Sequence, residues 1–454
     1  MNGDGACNSF DFHSRLDTCS LFDVLRNRRS RRFATGMEIK GPLAYKSEAM
    51  PTPLTEDEVA ALAFAACGVT GHALADLEFE SGRGGTMMGG FVGRTISSAD
   101  AVHSVAVVVS NDQATSLLRR PQDFAPEVVP TVVKLAKDDL LTELFRKSRV
   151  KLADKRLAPP LAMPKNLDVN QWDLYRPGTT YFVPINEYTY MYINGLLEFL
   201  NTTMKVFIVD ERAGFRPAGL AKFAKSNGGH LEDDPHAHQT LTIERIETLL
   251  HSVCMVEQGM ILQNLALMAQ AMGIGGFPNF AGHEFAWFEA LGFKMRAMTT
   301  LTYLGASRLT RMLGRLMKRD PVISFPVGLE RNGEVLLKPY CPPDYTTMEE
   351  AVRAVVERKF GTKGIFRDGI LESAWNEPKA IAAASQPICA AAIDATISYC
   401  TYIYRKYDRF PAYPAPFRTS VGFQAAHLDL AFYDKFYRAE AISETHREHS
   451  NRWH

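Results

Sequence analysis

The longest unbroken helical signal in the chain runs from Ile243 to Met272, and it limits what the rest of the chain can fold into. Thr242 stands where an N-cap belongs, Glu244 falls in the first turn, and Gly273 is placed to stop the helix. Thirty residues at 1.5 Å each give a rod of roughly 45 Å, more than one small domain needs. From Met260 to Met272 it is apolar nearly all round, which predicts burial on every side. A helix this long and this enclosed predicts packing against a second copy of the chain.

Around this rod the other signals are mixed. Thr55 followed by Glu58 reads as a capping box for a helix over Val59–Ala66, stopped by Gly68. Ser20 starts a shorter helix with Asp23 in its first turn. HSVAVVVSN (103–111), MKVFIVD (204–210) and VISFPVGL (322–329) read as buried strands. Strands and helices interleave, so the expected class is α+β. ICAAAIDATISYCTYIY (388–404) contains Asp394 and is too short to cross a bilayer, so a buried helix is expected. Residues 1–20 read as a polar arm, 21–330 as the main domain, and 331–454 as an extension that wraps it or a partner subunit.

The balance of charge narrows the function. Fifty-one basic residues face fifty-one acidic ones in 454. That disfavours nucleic-acid binding, for which a basic domain is the expected footprint. Against this neutral background, five arginines crowd into the seven residues RNRRSRR (26–32). Local positive charge beside a serine hydroxyl suits a small anion such as a phosphate, because guanidinium forks match its oxygens. Seven cysteines, odd in number and without a C-x-x-C, predict free thiols rather than a disulfide framework. The opening residues lack the basic and then apolar regions of a signal peptide, so a soluble cytoplasmic protein is expected.

Three segments, in order, resemble nitroreductase-family flavoproteins. LRNRRSRRF followed by PLTEDEVAALAFAACGVTG resembles the opening of that family, in which an R-x-S-x-R stretch holds FMN; Arg28, Arg29, Ser30 and Arg32 are the matching positions. GRTISSADAVH (93–103) is similar to the R-x-x-P-S-A-G-A-x-H segment of the azoline-oxidising dehydrogenase subgroup. There Arg94, Ser98, Ala99, Ala101 and His103 agree, while Ser97 replaces the proline and Asp100 the glycine. EQGMILQNLALMAQAMGIGGFP (257–278) resembles the family's Q-N-containing helix and its glycine turn, at Gln263, Asn264, Gly275, Gly276 and Phe277.

The resemblance implies a central, mostly antiparallel sheet with helices on both faces, and a homodimer with flavins at its interface. It implies FMN-dependent hydride transfer through the flavin N5, with a biosynthetic intermediate dehydrogenated and oxygen as acceptor. Reduction of nitroaromatics or quinones with NAD(P)H is the alternative, and a flavin-free scaffold on the same fold is the third reading. No side-chain acid or base is assigned. Arg331 and Lys338 are candidates for a further phosphate contact, and tyrosines within 181–195 for either substrate contact or packing.

Two other features have plain explanations. GGHLEDDPHAH (228–238) has no standard zinc spacing and reads as a polar loop, and the histidines of THREHSNRWH (445–454) read as a frayed end. GASRLTRMLGRLMKRD (305–320) reads as an amphipathic helix with its leucines to the core and its arginines to solvent.

Overall fold

The computed structural model describes residues 16–453 except 17, 76, 78–86, 164 and 414–418, so most of the expected N-terminal arm lies outside the described residues. At its centre is a six-stranded sheet of β1 (Val105–Ser110), β2 (Thr115–Leu118), β3 (Arg149–Ala153), β4 (Thr180–Asn186), β5 (Gly275–His283) and β6 (Thr419–Ala426). The spatial order is β5-β6-β4-β1-β2-β3, and every pairing is antiparallel. The elements that position the sites are helices α1 (Leu21–Asn27), α2 (Glu56–Cys67), α3 (Thr189–Phe199), α4 (Ile243–Met272), α5 (Glu284–Leu291), α6 (Arg308–Leu316), α7 (Met348–Phe360), α8 (Ala390–Tyr407) and α9 (Glu444–Trp453).

The reading of HSVAVVVSN as a buried strand has a simple physical basis. All six residues of β1 are buried, and strand alternation divides them between two cores. Val105, Val107 and Val109 pack with α2 and α4, while Ala106 and Val108 pack with Phe285, Trp287 and Phe288 of α5 on the other face. Each buried valine contributes about 1.5–3 kcal/mol of transfer free energy. Helices therefore cover both faces of an antiparallel sheet, as the α+β reading requires.

The long helix spans Ile243–Met272 within the expected bounds. Thr242 Oγ1 accepts from Arg245 N at 3.2 Å, and Gly273 ends the helix in the left-handed region at φ 82°. One expectation differs. Gln263 is exposed, and Leu249 and Val256 are 52% and 59% exposed, so the helix keeps an open stripe in the single chain. Beside it α1 shows Leu21, Phe22 and Leu25 to solvent, and Ser20 makes no side-chain cap bond.

Two further readings change. The segment beyond residue 330 does more than wrap the main body: its strand β6 sits inside the sheet between β5 and β4. Nothing in TSVGFQAA distinguishes it locally from an edge strand, since pairing partners are chosen by tertiary packing. Helix α6 presents Leu309, Met312 and Leu316 to solvent, at 62%, 61% and 81%, rather than to a core. Periodicity finds an apolar stripe but not what covers it. Among the described residues no helix is long and apolar enough to cross a membrane.

Gly273 does more than end a helix. A Cβ there would lie 2.3 Å from the Thr445 carbonyl oxygen, on the turn that opens α9. Gly273→Ala combines a left-handed backbone with a backbone clash and is expected to lose at least about 2 kcal/mol in urea denaturation. Gly259→Ala, where a Cβ meets nothing within 4 Å, is expected to gain about 0.5–1 kcal/mol in the same assay.

Candidate functional site

The arginine segment lies against the glycine strand. Arg31 bridges Gly276 and Ala34 bridges Leu428, both antiparallel, and Thr35 N donates to His427 O at 3.1 Å. Extended backbone sends alternate side chains to opposite sides. Arg31 turns inward: its Nε donates to Ala441 O at 2.7 Å and its Nη1 to Gln270 Oε1 at 2.9 Å. Burial pushes this guanidinium down to about 10. Arg32 turns the other way, donating to Asp173 Oδ2 at 2.6 Å and Asn170 Oδ1 at 2.7 Å, with its guanidinium 4.5 Å from the Phe277 ring centre. Arg29 and Ser30 are exposed and Arg28 half-buried; Arg29 Nη1 donates to the carbonyls of Arg26 and Arg28. Arg31, absent from the sequence-predicted set, is the arginine that fixes the segment. Arg31, Phe33, Ala34 and Thr35 are all buried, and no sequence signal singled Arg31 out from the other arginines.

Gly275 and Gly276 have a packing role within the single chain. A Cβ on Gly275 would meet Leu428 Cδ2 at 2.3 Å, and one on Gly276 would meet the Phe423 ring at 2.4 Å. Both glycines lie in β5, paired to Ala426 and Ala425 of β6.

The second motif anchors the long helix. Arg94 donates to the carbonyls of Cys67 and Val105 at 2.9 and 3.0 Å. Ser98 Oγ donates to Glu257 Oε1 at 2.5 Å and accepts from His103 N at 2.8 Å. Asn264 Nδ2 donates to Ala65 O and Thr95 O, while Gln263 faces solvent. Thus the third motif meets both others, the first at Gly276 and the second at Glu257 and Asn264, while Arg94 ties the second to α2 and β1. Arg331 donates to Leu291 O, Lys338 stacks over Tyr345, and Tyr181, Tyr188, Tyr190 and Tyr192 are all buried.

The loop that carries this second motif is strained where it meets a cavity. Asp100, Ala101 and His103 have φ of 52°, 51° and 50°. Left-handed non-glycine residues cost on the order of 1 kcal/mol or more, least for aspartate. A glycine would carry φ > 0 at position 100 without cost, whereas Asp100 adopts it with a side chain. Ala101 and His103 line a cavity of about 560 Å³ together with Phe91, Gln122, Arg358 and Lys363. His103 Nε2 lies 2.7 Å from Val92 O and so carries the proton it donates. Burial first, then Arg94, holds the imidazole down at about 3, so it is neutral near pH 7.

A smaller cavity of about 180 Å³ shares Gln122 and Arg358 with the first and adds Arg120, Glu187 and Tyr340. Burial alone would lower the Arg120 guanidinium, but Asp123 at 2.9 Å and Glu187 at 3.5 Å more than offset it. Next in the chain to Arg358, the wholly buried Lys359 donates to Asn194 Oδ1 at 2.5 Å. Burial lowers its ammonium to about 8, opposed by Glu198 and Asp100. Arg358 and Lys359 come from α7, in the section whose place the sequence leaves open, and no periodicity marks them.

No protein-family profile matches the chain, and no curated protein matches it. Among solved structures it is similar to a Ralstonia eutropha protein provisionally named a nitroreductase. That likeness has 12% identity and a TM-score of 0.29, over 61% of this chain and 77% of that one. At these values the architecture stands on this chain's own geometry.

Lys359 generates a signed pH dependence. The folded chain releases this proton near pH 8, while the unfolded chain holds it until about 10.5. Between those values the unfolded state binds more protons, so stability rises with pH, by up to about 3 kcal/mol. Urea midpoints of the wild type measured from pH 8 to 10 should climb relative to those of Lys359→Met. Parallel curves would contradict the assignment.

Proposed function

We propose that the chain is an FMN-dependent oxidoreductase whose cofactor phosphate is held by the arginine segment. The observation that carries this reading is the antiparallel bridge between Arg31 and Gly276, which brings the first and third motifs side by side. Arg28, Arg29 and Ser30 offer guanidinium and hydroxyl donors on the open side of that bridge, a donor set that fits a phosphate. Arg32, already paired with Asp173, lies over the Phe277 ring and is assigned to that ring rather than to the phosphate. FMN, when bound, accepts or delivers hydride at N5, and the protein's part is orientation and electrostatics.

The ring is less well provided for. Gly275 and Gly276 lie in β5 with Leu428 and Phe423 packed where their side chains would be, so one wall of a ring site must come from elsewhere. A homodimer would supply a second wall, and the open stripe of α4 with the exposed leucines of α1 supports one. Leu249→Asp with Val256→Asp is expected to convert that dimer to monomer in light scattering. The substrate class most in keeping with the second motif is a biosynthetic intermediate undergoing dehydrogenation with oxygen as acceptor, ahead of nitroaromatic or quinone reduction with NAD(P)H.

A flavin-free scaffold or binding protein is the second reading, favoured by the closed glycines and by the internal bonds of Arg94, Ser98 and Asn264. The absorbance spectrum of the purified protein separates the two. Flavin bands, with FMN affinity reduced about tenfold or more in Arg28→Ala/Arg29→Ala of unchanged circular dichroism, would support the phosphate site. A colourless protein that ignores added FMN would leave the scaffold.

A further inference from the structure

Three residues far apart in the chain converge on one buried point. Glu58 lies in the first turn of α2, His427 directly follows β6, and His449 lies on α9. They are 1%, 1% and 6% exposed. His449 Nε2 stands 2.7 Å from Glu58 Oε1, and His427 Nε2 stands 3.2 Å from Oε2. One ligand atom from each lies within 4.8 Å of the others, and among the described residues this is the one such group of three. The C-terminal histidines expected to fray are therefore in part buried: His449 faces Glu58, and His446 Nδ1 meets Ser443 Oγ at 2.6 Å.

Each member is placed by contacts that do not involve the others. Glu58 completes the capping box of α2, its Oε2 accepting from Thr55 N at 2.7 Å and from Thr55 Oγ1 at 3.0 Å. That contact orients the carboxylate and leaves Oε1 facing His449. The backbone at His427 is fixed by Thr35 N, which donates to its carbonyl, and by the adjoining bridge of Ala34 to Leu428. His449 reaches the point because Gly273 has no side chain: a Cβ there would lie 3.0 Å from the Cβ of His449.

We propose that Glu58, His427 and His449 form a divalent transition-metal site, with zinc the expected ion, that fastens α9 to α2 and to the end of β6. Two imidazoles and one carboxylate are borderline donors of the kind zinc takes, and they leave a fourth position for water. Tetrahedral bonds of about 2.0–2.1 Å place ligand atoms roughly 3.3 Å apart. From the single oxygen Glu58 Oε1, His427 Nε2 already stands at 3.3 Å and His449 Nε2 at 2.7 Å, and no two ligand atoms of the group are more than 4.8 Å apart. An ion therefore needs the His449 contact to open and the two imidazoles to settle at the tetrahedral spacing. The site involves none of the flavin contacts and stands apart from the oxidoreductase reading. Its alternative is a hydrogen-bonded triad in which both imidazoles donate to the carboxylate without an ion.

The test uses the full-length, untagged protein, equilibrated with zinc, passed into metal-free buffer and analysed by elemental mass spectrometry. About one zinc per chain is expected, falling below about a tenth in His427→Asn/His449→Asn. Cobalt(II) in place of zinc should give visible ligand-field bands that the double variant lacks. Should that variant not fold, the wild type answers alone: chelation should lower its melting temperature and zinc should restore it. Wild-type protein without zinc, zinc content unchanged in the double variant, or a melting temperature indifferent to chelation and zinc would each overturn the proposal in favour of the metal-free triad.

Discussion

A single buried carboxylate holds the architecture together. Glu257, midway along α4 and 1% exposed, has no route to solvent and must find all its hydrogen-bond donors within the protein. Ser98 and Ser104 donate to its two oxygens at 2.5 Å each, Asn186 donates at 3.2 Å, and Gln258 in turn steadies Asn186. This network ties the long helix to β1, to β4 and to the strained loop at 98–103. Because a buried carboxylate left without its donors costs several kcal/mol, each donor depends on the others being in place. The position of α4 relative to the sheet, and with it the site geometry, follows from that requirement.

A second junction joins the two ends of the chain. Arg31 bonds Ala441 and Gln270, Gln270 bonds Ser443 at 3.0 Å, and Gly273 admits the turn at Thr445. The arginine segment, the end of α4 and the start of α9 are thus one packed unit. The exposed donors of Arg28, Arg29 and Ser30 sit on its outer side, and the Glu58–His427–His449 cluster is within it. Two groups of different chemistry share this scaffold, exposed guanidinium donors on its outer side and an enclosed carboxylate with two imidazoles.

The two cavities bordered by Arg358 extend the picture beyond the motifs. Left-handed Ala101 and His103 line the larger, and Arg120 with its acidic partners lines the smaller. Strain beside a cavity is a recurrent property of functional loops, because the surrounding structure must hold the conformation in place. Here the holding groups are identifiable: Ser98 through Glu257, and the His103 ring through Val92.

What could be read from the sequence was local. The capping box of Thr55 and Glu58, the ends of α4 at Thr242 and Gly273, and the doubly buried strand at Val105–Ser110 depend on contacts within a few residues or on a period of two or 3.6. The arginine run announced local positive charge, but not that Arg31 would turn inward while Arg28 and Arg29 stay out. Tertiary structure alone decided that β6 enters the sheet, that the leucines of α6 remain exposed, that Arg358 borders two cavities, and that Glu58 serves His449 across 391 positions of sequence. Propensity and capping act over one helical turn, whereas a buried polar group takes whichever partner the packing brings to it, and nothing in the neighbouring residues encodes that choice.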